Sequence, residues 1–341
     1  MNGRKTRWKQ LGIGGVALLA LALLAAGGVG ASGPGDYLKF VPGVHEAFIY
    51  VDVAQIRNSK LYANLKGDLM VGPVQAGVAA FEQFTGIRVP DDLDVVAGSS
   101  KIAKDGQGIL FIHGRMDRQR IESLFAMNPG YSETIKPGGK MIGFLDENKG
   151  TMSYLSFLRN DLIVIGQKEG VEGALGVVAG DGGSLAESPS VKTQLAHAGS
   201  SPVVMVIAQK PAQLPPDANK IPAIQNVKSL LLTLTPGPET LTLIAQVETD
   251  TQELATQLLD IVRGLVALGQ IQQQAPQVAE FARMVSAERK DATVLVKADI
   301  NTVRAEEVIR RQIQQRGAQR PNVGGERIQG APEEKPIPPQ W

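Results

Sequence analysis

The side chains best suited to chemistry near neutral pH are three histidines, His45, His113 and His197. An imidazole that titrates near pH 6.5 can pass protons or hold a metal ion. None of the three pairs with another histidine, or with a carboxylate, in a metal-binding pattern. His113 precedes Gly114-Arg115 at the expected end of a strand, where a sheet edge would form a pocket. As a general base it would centre a hydrolase. The simpler reading is a strand-end polar residue with a local hydrogen bond.

Asp91, Asp92 and Asp94 form the densest acidic cluster. Paired carboxylates suit acid–base work or Ca²⁺, but Pro90 before them and a strand after them read as a solvated turn. The other oxygens of a calcium loop are absent. Alternation places Asp52 opposite Val51 and Val53, exposed or at a strand end. Gly138-Gly139-Lys140 resembles a phosphate loop, yet no glycine stands five positions before Gly139 and no Ser or Thr follows the lysine. Gly170, Gly173 and Gly176 recur at threes, the spacing of close helix packing rather than of a dinucleotide loop. Neither a Gly-x-Ser-x-Gly elbow nor a Ser-x-x-Lys nucleophile occurs. The sequence therefore assigns no catalytic, cofactor-binding or metal-ligating residue and implies no cofactor.

Composition narrows the classes further. With 43% hydrophobic and 20% charged residues the 341-residue chain is globular in type, long enough for two domains. Aromatics are only 5%, and Phe281 is the sole aromatic between 201 and 316, so that half offers no stacking platform for bases or sugars. Without cysteine there are no disulfides, thiolate metal sites, cysteine nucleophiles or thiol-linked lipids in this chain. Beyond residue 32 the chain holds 31 basic against 34 acidic residues, which gives no electrostatic reason to bind nucleic acid.

The clearest signal lies near the start. Arg4, Lys5, Arg7 and Lys9 form a basic region over 1–10, and residues 11–31 carry no charge. As a helix that run would be roughly 31 Å long at about 1.5 Å per residue, enough to cross a bilayer. The basic flank puts the N-terminus in the cytoplasm. The expected location is the inner (cytoplasmic) membrane, single pass, with the body facing the periplasm or cell exterior. The alternative is a signal peptide cleaved near Ala31, within Val29-Gly30-Ala31, giving a secreted body.

The pattern of the body predicts an α+β fold. Gly33-Pro34-Gly35 reads as a linker, 47–53 as a strand, and 95–102 with 109–113 as a hairpin. Asp117 caps a short helix carrying Ile121, Leu124 and Phe125, and strands follow over 140–145, 152–158 and 162–166. A glycine-rich helix over 169–179 closes this half. The second half repeats the order: strand 202–208, hairpin 229–235 and 240–247, then a capped helix from Asp250-Thr251-Gln252-Glu253. There Leu254, Leu258, Ile261, Leu265 and Leu268 step by four and three along one face. A further helix carries Val278, Phe281 and Val285, a last strand covers 292–298, and a helix over 302–315 holds Val303, Val308, Ile309 and Ile313 beside Arg304, Arg310, Arg311 and Arg316. Two related strand–connection–hairpin–helix units, 36–200 and 201–316, are expected to form antiparallel sheets with helices packed on one face. A proline-rich tail, 317–341, is expected to be disordered.

The stretch from Ser184 to Lys192, leading into the strand near 203–208, resembles a passage of uncharacterised bacterial envelope proteins that combine an N-terminal anchor with repeated α+β units. The resemblance implies the order strand, short helix, Ser-Leu-Ala turn, helix, strand over 162–208, and implies no activity. The expected role is that of a membrane-tethered extracytoplasmic module, held through residues 11–31, for interaction or scaffolding without catalysis. A carrier of lipid or another apolar ligand is the alternative, and a hydrolase centred on His113 the third.

Overall fold

Strands whose two faces are both apolar must be covered on both sides, and two such strands lie at the heart of this protein. In β1 (Ala47–Asp52), Phe48 and Tyr50 join one hydrophobic cluster while Ile49 and Val51 join another. In β8 (Val204–Gln209), Met205 and Ile207 divide from Val204 and Val206 in the same way. The two pair antiparallel, Ala47 opposite Ala208 and Val51 opposite Val204.

A computed structural model describes residues 33–69, 73–102, 108–146, 150–199, 201–210, 226–272 and 276–318. Helices α1 (Pro34–Leu38), α2 (Val53–Arg57), α3 (Lys60–Leu69) and α4 (Pro73–Thr85) flank β1 in sequence. The hairpin β2 (Leu93–Ser100) and β3 (Ile109–Gly114) follows, then α5 (Arg118–Ala126). Next come β4 (Ser132–Lys136), β5 (Gly139–Asp146), β6 (Thr151–Arg159) and β7 (Leu162–Gly166), then α6 (Lys168–Ala179), a 3₁₀ turn (Leu185–Glu187) and α7 (Pro189–His197). After β8 the chain forms β9 (Val227–Pro236), β10 (Thr240–Thr249), α8 (Gln252–Gln270), α9 (Pro276–Met284), β11 (Val285–Lys290), β12 (Thr293–Asn301) and α10 (Thr302–Ala318).

Among the described residues all twelve strands belong to one sheet, in the order β11-β12-β10-β9-β8-β1-β2-β3-β7-β6-β5-β4, every neighbour antiparallel. The α+β class holds, but separate sheets covered on one face do not. The ladder between β1 and β8 fuses the halves, and helices cover both faces because the inner strands are apolar on both. On one face α1, α6 and α7 bring Tyr37, Val171, Ala174, Leu175 and Val191 onto Phe48, Phe111, Val164 and Met205. On the other, α2, α3 and α10 bring Ile56, Leu61, Leu65 and Ile309 onto Val51, Val204 and Leu234, while α5 packs Ile121 with Ile142, Leu155 and Ile163. The outer strands of the second half alternate: β10 and β12 turn Thr242, Gln246, Glu248, Lys297 and Asp299 to the first face, and the Thr242 hydroxyl donates to Asp299 at 2.6 Å.

Several local expectations meet a different outcome. Gly33-Pro34-Gly35 does not link; Pro34 opens α1, where a fixed φ and a missing N–H suit the first turn. Asp52 is fully buried at the strand end rather than exposed. It caps α2, accepting from the Gln55 backbone N–H and from Gln55 Nε2, both at 2.7 Å. Gly138-Gly139 turns β4 into β5 with φ +87° at Gly138, where an added methyl would collide with the Leu175 carbonyl of α6. The last helix runs through Ala318. Segment 11–31 and residues 319–341 lie outside the described residues; among those described, no helix is long and apolar enough to cross a membrane.

His45 makes the fold acid-sensitive. Its Nδ1 lies 2.8 Å from Ser99 Oγ, which donates to the Ala47 carbonyl, so the ring nitrogen is the donor. Burial, reinforced by the nearby Lys101 charge, pushes its pKa down to about 4. Between pH 6.5 and 4 the unfolded chain binds a proton that the folded chain refuses, so stability present above pH 6.5 is lost as the pH falls through that window. The loss expected from this group between pH 6.5 and 4.5 is about 2–3 kcal/mol at roughly 1.4 kcal/mol per pH unit. Urea unfolding of wild type and His45→Gln between pH 7.5 and 4.5 measures it; equal slopes for the two would rule out His45 as the source.

Candidate interaction surface and the histidine network

His113 does not sit at a sheet edge. Strand β3 runs between β2 and β7, and the imidazole joins two groups that the sequence keeps far apart. Its Nδ1 lies 2.7 Å from Tyr37 Oη and its Nε2 3.1 Å from Asp161 Oδ2. Asp161, in the turn between β6 and β7, also accepts from Arg159 Nε at 3.0 Å. Burial opposes ionisation of that carboxyl, but the Arg159 and His113 hydrogen bonds prevail and hold its pKa below the usual range. A Tyr–His–Asp string has the parts of a proton relay. Here its inner end, Tyr37, is 1% exposed and packs against the Tyr50 ring at 5.7 Å. The hydroxyl that would act on a substrate is sealed in the core, so the string fastens α1 to the sheet.

The other sequence candidates also resolve into scaffolding. Asp92 is not a solvated turn residue. It accepts from Arg88 Nε and Nη2 at 2.9 Å, from the Arg88 backbone N–H at 3.0 Å, and from Arg115. The Arg88 hydrogen bonds hold its carboxyl well below the usual carboxylate range. Arg57 donates to the carbonyls of Pro90, Asp91 and Leu93 and pairs with Asp94 at 3.5 Å, so the carboxylates of Asp92 and Asp94 and the backbone of Asp91 fix this turn. Gly173 packs on Pro42, and Gly176 has open space beside it. His197 borders a polar groove of about 380 Å³ between α7 and the sheet, with Gln194, Ser229, Gln246 and Glu248 on its walls. Among the described residues no three His, Asp or Glu side chains gather as metal ligands.

The feature that stands out is the pair α8–α9. Thr251 caps α8 with its hydroxyl, accepting from the Leu254 N–H at 3.3 Å. The expected leucine face exists; Leu254 and Leu258 are half-buried, with Leu258 packed on the cluster beneath, but Ile261, Leu265 and Leu268 face outward. The residues turned inward are one position on: Ala255, Leu259, Val262, Val266 and Gly269, with Ala255 and Leu259 on Val294 of β12. Ile261, Leu265, Leu268 and Ile271 are 51%, 63%, 62% and 72% exposed. Helix α9 does the same: Ala279 and Ala282 are buried, and Val278 and Phe281 are 49% and 44% exposed. Small residues inside let the helices approach closely, and a methyl placed on Gly269 would lie 2.9 Å from the Ala282 side chain. Covering a fully exposed Leu or Ile is worth about 1.5–3 kcal/mol.

Arg263 and Arg283 lie on the same two helices, while Arg304 pairs with Glu280 and Glu307. Arg310 is held by Asp68 and Glu306, tying α10 to α3. Between α9 and α10 runs an open groove of about 230 Å³, with Phe281, Met284, Ile300 and Val308 apolar and Arg304 and Arg311 on its walls.

Inward and outward faces of α8 should answer substitution differently. Leu265→Ser with Leu268→Ser should leave the melting free energy within about 0.5 kcal/mol of wild type, as exposed sites do. Gly269→Leu should cost about 1–3 kcal/mol by overpacking against Ala282. Thermal unfolding of both checks this, and a larger loss from the serine pair would contradict the outward assignment.

No family model matches the sequence, and no curated protein matches it. Among solved structures the chain is similar to TP0453: crystal form III at 11% identity and TM-score 0.44, covering 80% of this chain and 97% of that chain. Crystal form IV gives 12% identity and TM-score 0.43, covering 82% and 100%. Likeness at that level says nothing about ligand or activity.

Proposed function

We propose that this chain is a membrane-tethered extracytoplasmic interaction module that works without catalysis. Residues 11–31 form the tether in the inner membrane, with the body in the periplasm or at the cell exterior. The observation that carries the proposal is the apolar outer face of α8–α9, a surface spare to the fold and suited to contact. The Tyr37 hydroxyl, at the inner end of the Tyr37–His113–Asp161 string, is buried, which favours a structural role for that string.

A two-unit body, 36–200 and 201–316, belongs to the same proposal. Outward from the central ladder the order is β1-β2-β3-β7 on one side and β8-β9-β10-β12 on the other, which supports related units with β4–β5 as an added hairpin. A second reading, a carrier of lipid or another apolar ligand, draws on the amphipathic groove between α9 and α10. At about 230 Å³ that groove is open and below the roughly 300–1,000 Å³ of small-molecule sites. Interaction is the better-supported role.

Fractionation tests the tether. The full-length chain should sediment with membranes and resist carbonate extraction. Leu19→Arg with Leu23→Arg should release it, because each arginine at a helix centre costs about 2.5–3.5 kcal/mol of insertion. Wild-type chain recovered uncut in the cytosolic supernatant without detergent would refute the proposal.

A further inference from the structure

We infer that the polar groove between α7 and the sheet is a binding site for a small open-chain amine bearing several hydroxyl groups, an amino polyol. The inference goes beyond the proposed interaction role and does not depend on the tether.

Two polar surfaces face each other in this groove. Ser190, Thr193, Gln194 and His197 recur at i, i+3, i+4 and i+7, which puts them on one stripe of α7. Val191, beside that stripe, is fully buried in the core and holds the helix against the sheet. Beneath the stripe, Ser229 of β9, Glu248 of β10 and Thr293 of β12 lie directly opposite one another across three strands, and Gln246 sits two residues along the same face. Among the described residues no hydrogen bond runs from the stripe to this row. Buried polar groups need partners, so these must find theirs in whatever fills the gap. Its volume of about 380 Å³ falls within the roughly 300–1,000 Å³ of small-molecule sites.

Two side chains are poised most clearly. Gln194 is 5% exposed; its Oε1 accepts from Gln209 Nε2 at 2.7 Å, while its own Nε2 has no partner among the described residues and is left to the groove. Glu248 accepts from the Ser229 hydroxyl onto Oε2 at 3.0 Å, which leaves Oε1 to the groove.

The lining sets the chemistry of the ligand. Among the described residues Glu248 is the only carboxylate on the walls, and no lysine or arginine is there to receive an anion. An ammonium suits Glu248 best, because a charge-assisted hydrogen bond is about twice as strong as a neutral one. The hydroxyls of Ser190, Thr193 and Thr293 and the carboxamides of Gln194 and Gln246 each donate and accept, which matches hydroxyl groups rather than a second charge. No Phe, Tyr or Trp lines the groove among the described residues, so a flat ring has nothing to stack on. An open chain with one ammonium and several hydroxyls meets all of these conditions.

Glucamine, sorbitol and gluconate test this, since they share one hydroxylated chain and differ at a single end: ammonium, hydroxyl or carboxylate. Each is titrated by calorimetry into the full-length chain in nonionic detergent and phosphate buffer, Tris being itself a hydroxylated amine. Glucamine should bind saturably with a Kd on the order of 1 mM, as suits so few atoms. Sorbitol and gluconate should bind about tenfold or more weakly, the value of one hydrogen bond to a charged group. Glu248→Gln should erase the preference for glucamine over sorbitol. Thr193→Trp, at an exposed position of α7, should fill the groove and abolish binding. Glu239→Gln removes an exposed acid from the turn between β9 and β10 and should change nothing. An unchanged melting temperature identifies the folded variants, and if Glu248→Gln does not fold, Thr193→Trp and the three ligands decide. The inference is overturned by no saturable binding of glucamine, by equal affinity for sorbitol or gluconate, by undiminished affinity in either folded groove variant, or by an equal loss in Glu239→Gln.

Discussion

The ladder between β1 and β8 is the contact on which the rest of this structure depends. Five pairs of residues, from Ala47 with Ala208 to Val51 with Val204, join two half-sheets that would otherwise each end in an apolar edge. An unpaired edge of that kind is an invitation to aggregate. Because the joining strands are apolar on both faces, cover is needed on both. The chain supplies α1, α6 and α7 on one side and α2, α3 and α10 on the other. The sheet is thus deepest in the middle and thins outward to the exposed strand β4 and the polar strand β11.

This distribution of cover explains why the distal helices differ from the central ones. Helix α6 buries Val171, Ala174 and Leu175 in the largest cluster. Helix α8 rests on a small cluster built around Ala255, Leu259 and Val294. Placing its larger residues inward would widen the separation from α9, where Gly269 meets Ala282. Close approach of small residues gains dispersion contacts over a long interface, and leaves the bulky side chains on the far side. The outward leucines are therefore a consequence of how α8 and α9 meet. They also leave an apolar display on the outside of these helices.

Much of the fold was legible in the sequence, and what escaped did so for identifiable reasons. Hairpins announced themselves by their turns and central strands by continuous apolar runs, and Asp117 and the stretch Asp250-Thr251-Gln252-Glu253 marked helix starts that the Asp117 and Thr251 side chains cap. Strands β4 and β11 went unread because Ser132-Glu133-Thr134 and Glu288-Arg289-Lys290 carry edge polarity rather than an apolar face. The period of α8 was right, but periodicity cannot choose between two apolar arcs one residue apart. The arc at 254, 258, 261, 265 and 268 has the larger side chains, and the arc at 255, 259, 262, 266 and 269 has the fit. Nor could spacing reveal that His113 meets Tyr37 across 76 residues, since only the folded sheet brings β3 beneath α1.

That last contact gives the histidine network a mechanical sense. Helix α1 is only five residues long, too short to hold its place by its own hydrogen bonds. Its position is fixed from outside: Tyr37 and Leu38 sink into the core, Tyr37 meets His113, and Leu185 donates its backbone N–H to the Val41 carbonyl at 2.8 Å. Asp161 and Arg159 continue the chain of bonds to the turn between β6 and β7. In the proposed arrangement α1 is the first element after the tether, so any pull between membrane and body arrives there. A helix held only by apolar contacts could slide, because those contacts are non-directional. Directional bonds from a buried tyrosine through a ring to an ion pair resist sliding, and they spread the load into two strands of the sheet.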